Sequence, residues 1–120
     1  MSQRRFVVIA SLVMAVSVSS YAQTFRNDSY GGVQITLVSA RSDRNIYRVQ
    51  SNQFPSHLFS QVDVDDYAFR VNRRNCSDPD VMYTLRSGVV FQYDFYGSDG
   101  VKVRSFYTTA NVCRLQQGAR

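Results

Sequence analysis

The chain has 120 residues, 14 Lys+Arg against 9 Asp+Glu, one histidine and a formal net charge of +5. That length accommodates one small domain. The charge balance is only mildly basic and is not by itself the signature of a nucleic-acid binder. The charged residues are unevenly drawn: Lys102 is the only lysine and there is no glutamate. Arginine offers a planar fork that binds carboxylates and stacks on aromatic rings, which lysine does not.

Met1 to Arg5 is a short basic start, and Phe6 to Val18 is apolar apart from Ser11 and Ser17. Ser20-Tyr21-Ala22 then places small residues where a signal peptidase reads, which predicts a secretory signal peptide over residues 1–22 and a single mature domain over 23–120. A membrane anchor is the alternative, but the apolar run is shorter than the roughly 18 residues a spanning helix requires. No membrane span is expected once the leader is removed. No cysteine follows the apolar run, so lipid attachment there is not expected. Loss of Arg4 and Arg5 would take the net charge from +5 to +3.

Gln23 to Tyr30 is polar. Val33, Ile35 and Leu37 alternate with Gln34, Thr36 and Val38, the pattern of a half-buried strand. A polar turn, Ser39 to Asn45, leads to Ile46-Tyr47-Arg48-Val49, which predicts a second strand and a hairpin. Ser56 to Val62 reads as one helical turn or an irregular loop after Phe54-Pro55. Tyr67, Phe69 and Val71 alternate with Ala68, Arg70 and Asn72, which predicts a third strand. Ser77 or Asp78 can cap a helix, with Pro79 at its first position, Val81, Met82 and Leu85 on one face, and Gly88 as its C-terminal cap; a helix is expected over 78–87. Val89, Phe91, Tyr93 and Phe95 alternate with Val90, Gln92, Asp94 and Tyr96 as a fourth strand. Gly97-Ser98-Asp99-Gly100 is hairpin-turn chemistry, and Val101 to Thr108 completes a fifth strand.

The expected fold is therefore mainly β with one short helix, in the order β-β-β-α-β-β. That is the order of a small five-stranded OB-fold-like barrel; an open sheet with one helix is the alternative. In an exported chain the two cysteines, Cys76 and Cys113, read as one disulfide.

Catalytic signals are weak. His57 is the only histidine, both cysteines are assigned to the disulfide, and Asp63-Val64-Asp65-Asp66 lacks the spacing and glycine of a calcium loop. A non-enzyme is expected, with no cofactor and no metal. The chain has eight tyrosines, eight phenylalanines and no tryptophan. Tyr30, Tyr83, Tyr96 and Tyr107 are hard to bury together, and exposed tyrosine suits a sugar site or a protein interface.

Gly31-Gly32-Val33-Gln34-Ile35-Thr36 with Ile46-Tyr47-Arg48-Val49, and the predicted helix running into Ser87-Gly88-Val89-Val90-Phe91-Gln92-Tyr93, resemble the B subunits of AB5-type bacterial toxins (the subtilase-cytotoxin, typhoid-toxin and pertussis-like OB-fold subunits). The resemblance implies a secreted virulence factor, a homo-oligomer formed by edge-strand pairing that binds cell-surface glycans and carries an enzymatic A subunit. Ser29, Tyr30, Gly31 and Tyr96 are its candidate glycan-binding residues. Gly31 stands where sialic-acid-binding members have a serine. The competing reading is a monomeric periplasmic inhibitor, immunity protein or secretion-system accessory, contacting one protein partner through Arg41, Arg44, Arg73 and Arg74. Nucleic acid is not an expected partner of an exported chain.

Overall fold

The computed structural model describes residues 30–118; the expected leader and Ser29 lie outside the described residues. Four strands and three α-helices form one layered unit. Strands β1 (Val33–Ala40) and β2 (Arg44–Ser51) make the expected hairpin, paired from Val33↔Ser51 to Ala40↔Asn45 with a bulge between Leu37 and Ser39. The turn is closed by the Arg41 N–H donating to the Arg44 carbonyl at 2.8 Å. Strand β3 (Val90–Tyr96) lies parallel to β2, and β4 (Lys102–Thr108) returns antiparallel to β3, giving the spatial order β1-β2-β3-β4.

A parallel pair needs a crossover longer than a turn. Here it is a short 3₁₀ turn (Ser56–Leu58) followed by two helices, α1 (Gln61–Cys76) and α2 (Pro79–Arg86). A third helix, α3 (Ala110–Gly118), follows β4.

The expected third strand is the main correction. Residues 67–71 belong to α1, so the described residues form four strands without barrel closure, and three α-helices in place of one. The period-two pattern Tyr67, Phe69, Val71 coexists with a period-3.6 pattern, and the second one is buried: Val64, Tyr67, Ala68, Val71 and Asn75 all face inward. Phe69, which strand alternation would bury, is 52% exposed. The helix start also carries a capping box. Ser60 Oγ accepts from the Asp63 N–H at 3.2 Å, and the Asp63 carboxylate accepts from the Ser60 N–H at 2.9 Å. Two orphan donors of the first turn are thereby satisfied, which a strand start would not need.

Helix α2 forms where expected. Asp78 caps it, accepting from the Asp80 N–H at 2.9 Å, and Pro79 occupies the first turn. Gly88 ends it at φ +102°, a conformation that a side chain would strain. The segment around Cys113, expected merely beyond the last strand, is helical. Thr109 Oγ1 accepts from the Val112 N–H at 3.0 Å and starts α3.

One face of the sheet carries the core. Val33, Ile35, Val49, Phe91, Tyr93, Phe95 and Phe106 point to the helices and are buried. The rings interlock. Tyr93 stacks between Tyr47 (4.9 Å, 15°) and Phe106 (5.0 Å, 10°), and Tyr67 of α1 meets Phe95 and Phe106 edge-on. The Asn75 amide, 1% exposed, donates to the Tyr93 hydroxyl (2.9 Å) and to Thr108 Oγ1 (3.0 Å), and the Thr108 hydroxyl donates to Asn72. Both amide protons are used, so this buried polar group fixes the axial position of α1 on β3 and β4 without an unpaired donor.

Cys76 and Cys113 are bonded, Cα–Cα 5.3 Å, joining the end of α1 to α3 across 37 residues. In the chain-entropy picture this closure contributes roughly 4 kcal/mol.

Two predictions follow from this packing. Because Phe69 lies outside the helix contact, Phe69→Ser should change unfolding free energy by less than about 0.5 kcal/mol, whereas Val71→Ala should cost about 2 kcal/mol. Equal and large losses in urea denaturation would mean that residues 67–71 are a strand. Reducing the disulfide, or Cys76→Ser with Cys113→Ser, should lower stability by about 4 kcal/mol in the same assay.

Candidate functional site

The sheet has two faces and the helices cover one. The α1 contacts to Tyr93, Phe95, Phe106 and Thr108 all reach the core side. Alternation then forces the intervening residues onto the opposite, open face. From β2 these are Arg44, Ile46, Arg48 and Gln50; from β3, Val90, Gln92, Asp94 and Tyr96; from β4, Lys102, Ser105 and Tyr107. Register places them in rows: Ile46 beside Gln92 and Tyr107, Arg48 beside Asp94 and Ser105, and Gln50 beside Tyr96 and Lys102.

The side chains on this face hold one another. Arg44 Nη1 donates to Gln92 Oε1 at 2.7 Å, and the Gln92 amide donates to Asp94 Oδ1 at 3.0 Å. Ser105 Oγ donates to the same carboxylate oxygen at 2.6 Å, and Lys102 Nζ lies 3.6 Å from it. The Arg48 guanidinium sits 3.7 Å above the centre of the Tyr96 ring, and its Nε donates to Gln50 at 3.3 Å. Arg44 lies 6.0 Å over the Tyr107 ring. Partial burial works to raise the Asp94 carboxyl. The Ser105 and Gln92 hydrogen bonds and the Lys102 charge outweigh it, and the group is held below its ordinary value of 3.8.

Three cations and one anion leave this face with a net charge of +2 among the described residues. The charges are also unevenly satisfied. Arg70 pairs with Asp66, Arg104 with Asp65 and Lys102 with Asp94. Arg44 and Arg48 have no carboxylate partner among the described residues; their contacts are to neutral amides and ring faces.

The residues singled out from sequence are dispersed. Ser29 lies outside the described residues. Tyr30 is on the helix side, 4% exposed, with its hydroxyl donating to Asp66 at 2.6 Å and its ring edge-on to Tyr67 at 5.1 Å. Burial first, and then the Asp66 hydrogen bond and charge, push its phenol far above the usual range. Gly31 is packed under Ser51, Gln53 and Phe54 at φ +72°. Tyr96 and Arg44 share the open face, and Arg41 is exposed in the β1–β2 turn nearby. Arg73 and Arg74 are exposed at the end of α1. His57 is exposed on the 3₁₀ turn.

Tyr107, noted as hard to bury, lies on the open face, whereas Arg48, Gln92, Asp94, Lys102 and Ser105 were not singled out. The signal for the β3 members was present: Gln92, Asp94 and Tyr96 are the partners in alternation of the buried Phe91, Tyr93 and Phe95. Their convergence with Arg44 and Arg48 depends on the parallel β2–β3 pairing, which local periodicity does not encode.

The acidic run is structural. Asp63 caps α1, Asp65 pairs with Arg104, and Asp66 receives Tyr30 and Arg70. Among the described residues no group of three or more His, Cys, Asp or Glu side chains is placed to hold a metal ion. No helix among them is long and apolar enough to cross a membrane.

Neither the family models nor the curated proteins contain a match to this chain. Solved structures do. The fold is similar to the pilotin EpsS of the Vibrio vulnificus type 2 secretion system, with TM-score 0.57 and 15% identity over 84% of this chain and 89% of that one. It is also similar to the type II secretion system pilotin AspS from Vibrio cholerae, with TM-score 0.53 and 13% identity over 85% of this chain and 100% of that one. At these identities the likeness is one of fold. It overturns the toxin resemblance: the structural neighbours are pilotins, not AB5 B subunits. The toxin-subunit and glycan-binding readings, with the A subunit, fall with it.

The electrostatics of the open face yield a pH prediction. Asp94 has a folded value below its unfolded one, so its contribution is fully present above about pH 4 and is lost as pH falls through the folded value. Asp94→Asn should therefore lower the melting temperature at neutral pH, and the gap to the parent protein should close on acidification below about pH 4. A gap that stays constant down to pH 2 would mean the carboxylate is not held by these neighbours.

Proposed function

We propose that this protein is an exported, non-catalytic accessory of a type II secretion apparatus, acting as a monomer that binds one protein component of that machinery. The observation that carries the reading is the fold likeness to two type II pilotins. It extends over 84–85% of this chain and 89–100% of theirs, and so includes the helices and the sheet together. The basic-apolar-small leader supports export. A disulfide that ties α1 to α3 suits an oxidising compartment outside the cytosol.

A binding role agrees with the chemistry of the site. The open face offers cations, amides and tyrosines, which make contacts.

The test is genetic and biochemical. Deleting the gene in its own host should reduce type II export, and the tagged protein should co-purify with a component of the secretion apparatus identified by mass spectrometry. Normal export by the deletion strain, together with no secretion component in the purified complex, would refute the reading.

A further inference from the structure

We infer that the open sheet face is the partner-binding surface, and that it takes a carboxylate-bearing segment with two acidic side chains flanking an apolar one. This inference rests on the accessory reading above and names the chemistry of the partner.

Strand β2 presents Arg44, Ile46 and Arg48 to the open side in succession. At about 3.3 Å per residue the two arginine Cα atoms are roughly 13 Å apart, with Ile46 midway. The strand thus offers a cation, an apolar step and a second cation at fixed intervals. Each guanidinium is positioned in advance: Arg48 is set over the Tyr96 ring, 3.7 Å from its centre, and Arg44 is held by Gln92 at 2.7 Å, with the Tyr107 ring centre 6.0 Å away. A guanidinium set over a ring keeps N–H donors for a planar acceptor, for which carboxylate is the geometric match.

Among the described residues neither arginine has a carboxylate partner, although one is close by. Asp94 is the lateral neighbour of Arg48 in the strand register. Yet its Oδ1 is taken by Ser105, Gln92 and Lys102. The one anion that the described residues place on the face is engaged elsewhere, and the two arginines remain available to an external acid.

An anionic membrane is the competing occupant. The face opposes it, because a net charge of +2 is too small to hold a protein on such a surface and Asp94 stands at the centre of the patch.

The test uses the full oxidised chain without its leader and a dye-labelled peptide. The peptide carries two glutamates four positions apart with a leucine midway; its counterpart has glutamines. Fluorescence anisotropy should show binding of the acidic peptide that weakens with added salt. It should weaken about tenfold for the glutamine peptide and about tenfold for each of Arg44→Gln and Arg48→Gln. Thermal melting of the variants should match the parent, since neither arginine enters the core. Equal affinity for the two peptides, unchanged affinity of both variants, or capture by phosphatidylglycerol vesicles with no peptide binding would each overturn the inference. The Arg44→Gln/Arg48→Gln protein is also purified from its host. Undiminished recovery of the secretion component would overturn the acidic docking site and leave the accessory reading standing. Failure of the parent protein to recover one would remove the accessory reading itself.

Discussion

Everything in this fold depends on one helix lying on one side of a sheet. Helix α1 sets Val64, Tyr67, Ala68 and Val71 against the aromatic face of β3 and β4, and Asn75 locks its axial position through Tyr93 and Thr108. The same helix is the longest element of the crossover that lets β2 and β3 run parallel. Its C-terminal residue Cys76 then secures α3. Since α2 and α3 gather around α1 on that side, the hydrophobic core is one-sided. The opposite face of the sheet consequently has to be polar, and on this chain it is also cationic.

That asymmetry links packing to the proposed function. An antiparallel or mixed sheet with one solvated face needs hydrophilic residues there, and threonine or serine would suffice. Here the polar positions of β2, β3 and β4 hold arginines, a lysine, glutamines and tyrosines that contact one another side by side. Such an arrangement costs side-chain entropy, and the hydrogen bonds of Arg44 and Arg48 and the ring contact of Arg48 offset part of that cost in the unbound protein. A pre-ordered side chain loses less freedom when a partner arrives. On the helix side, Asp66 pairs with Arg70 and Asp65 with Arg104.

Much of the fold was legible locally. The β1–β2 and β3–β4 hairpins, helix α2 with its Asp78 and Gly88 boundaries, and the disulfide all follow from alternation, capping chemistry and cysteine count. The failure lay at residues 67–71, where two periodicities share Tyr67 and Val71. Phe69 tipped the sequence reading toward a strand, although Val64, Ala68 and Asn75 complete a helical stripe and Ser60 with Asp63 forms its cap. One misread segment changed a helix into a strand and an open sheet into a barrel. The barrel in turn invited the toxin resemblance. The site was legible only in part: Arg44, Tyr96 and Tyr107 were singled out, but their neighbours meet them through the β2–β3 pairing, whose residues lie 46 positions apart at both Arg44↔Val90 and Gln50↔Tyr96.

The most direct measurement is site-specific photo-crosslinking in the native host, with the reactive side chain placed at Gln50 on the open face and, separately, at Tyr83 on the exposed side of α2. Crosslinks to a type II secretion component from Gln50, and none from Tyr83, are the expected result. Crosslinks to such a component from Tyr83 alone would contradict docking through the open sheet face.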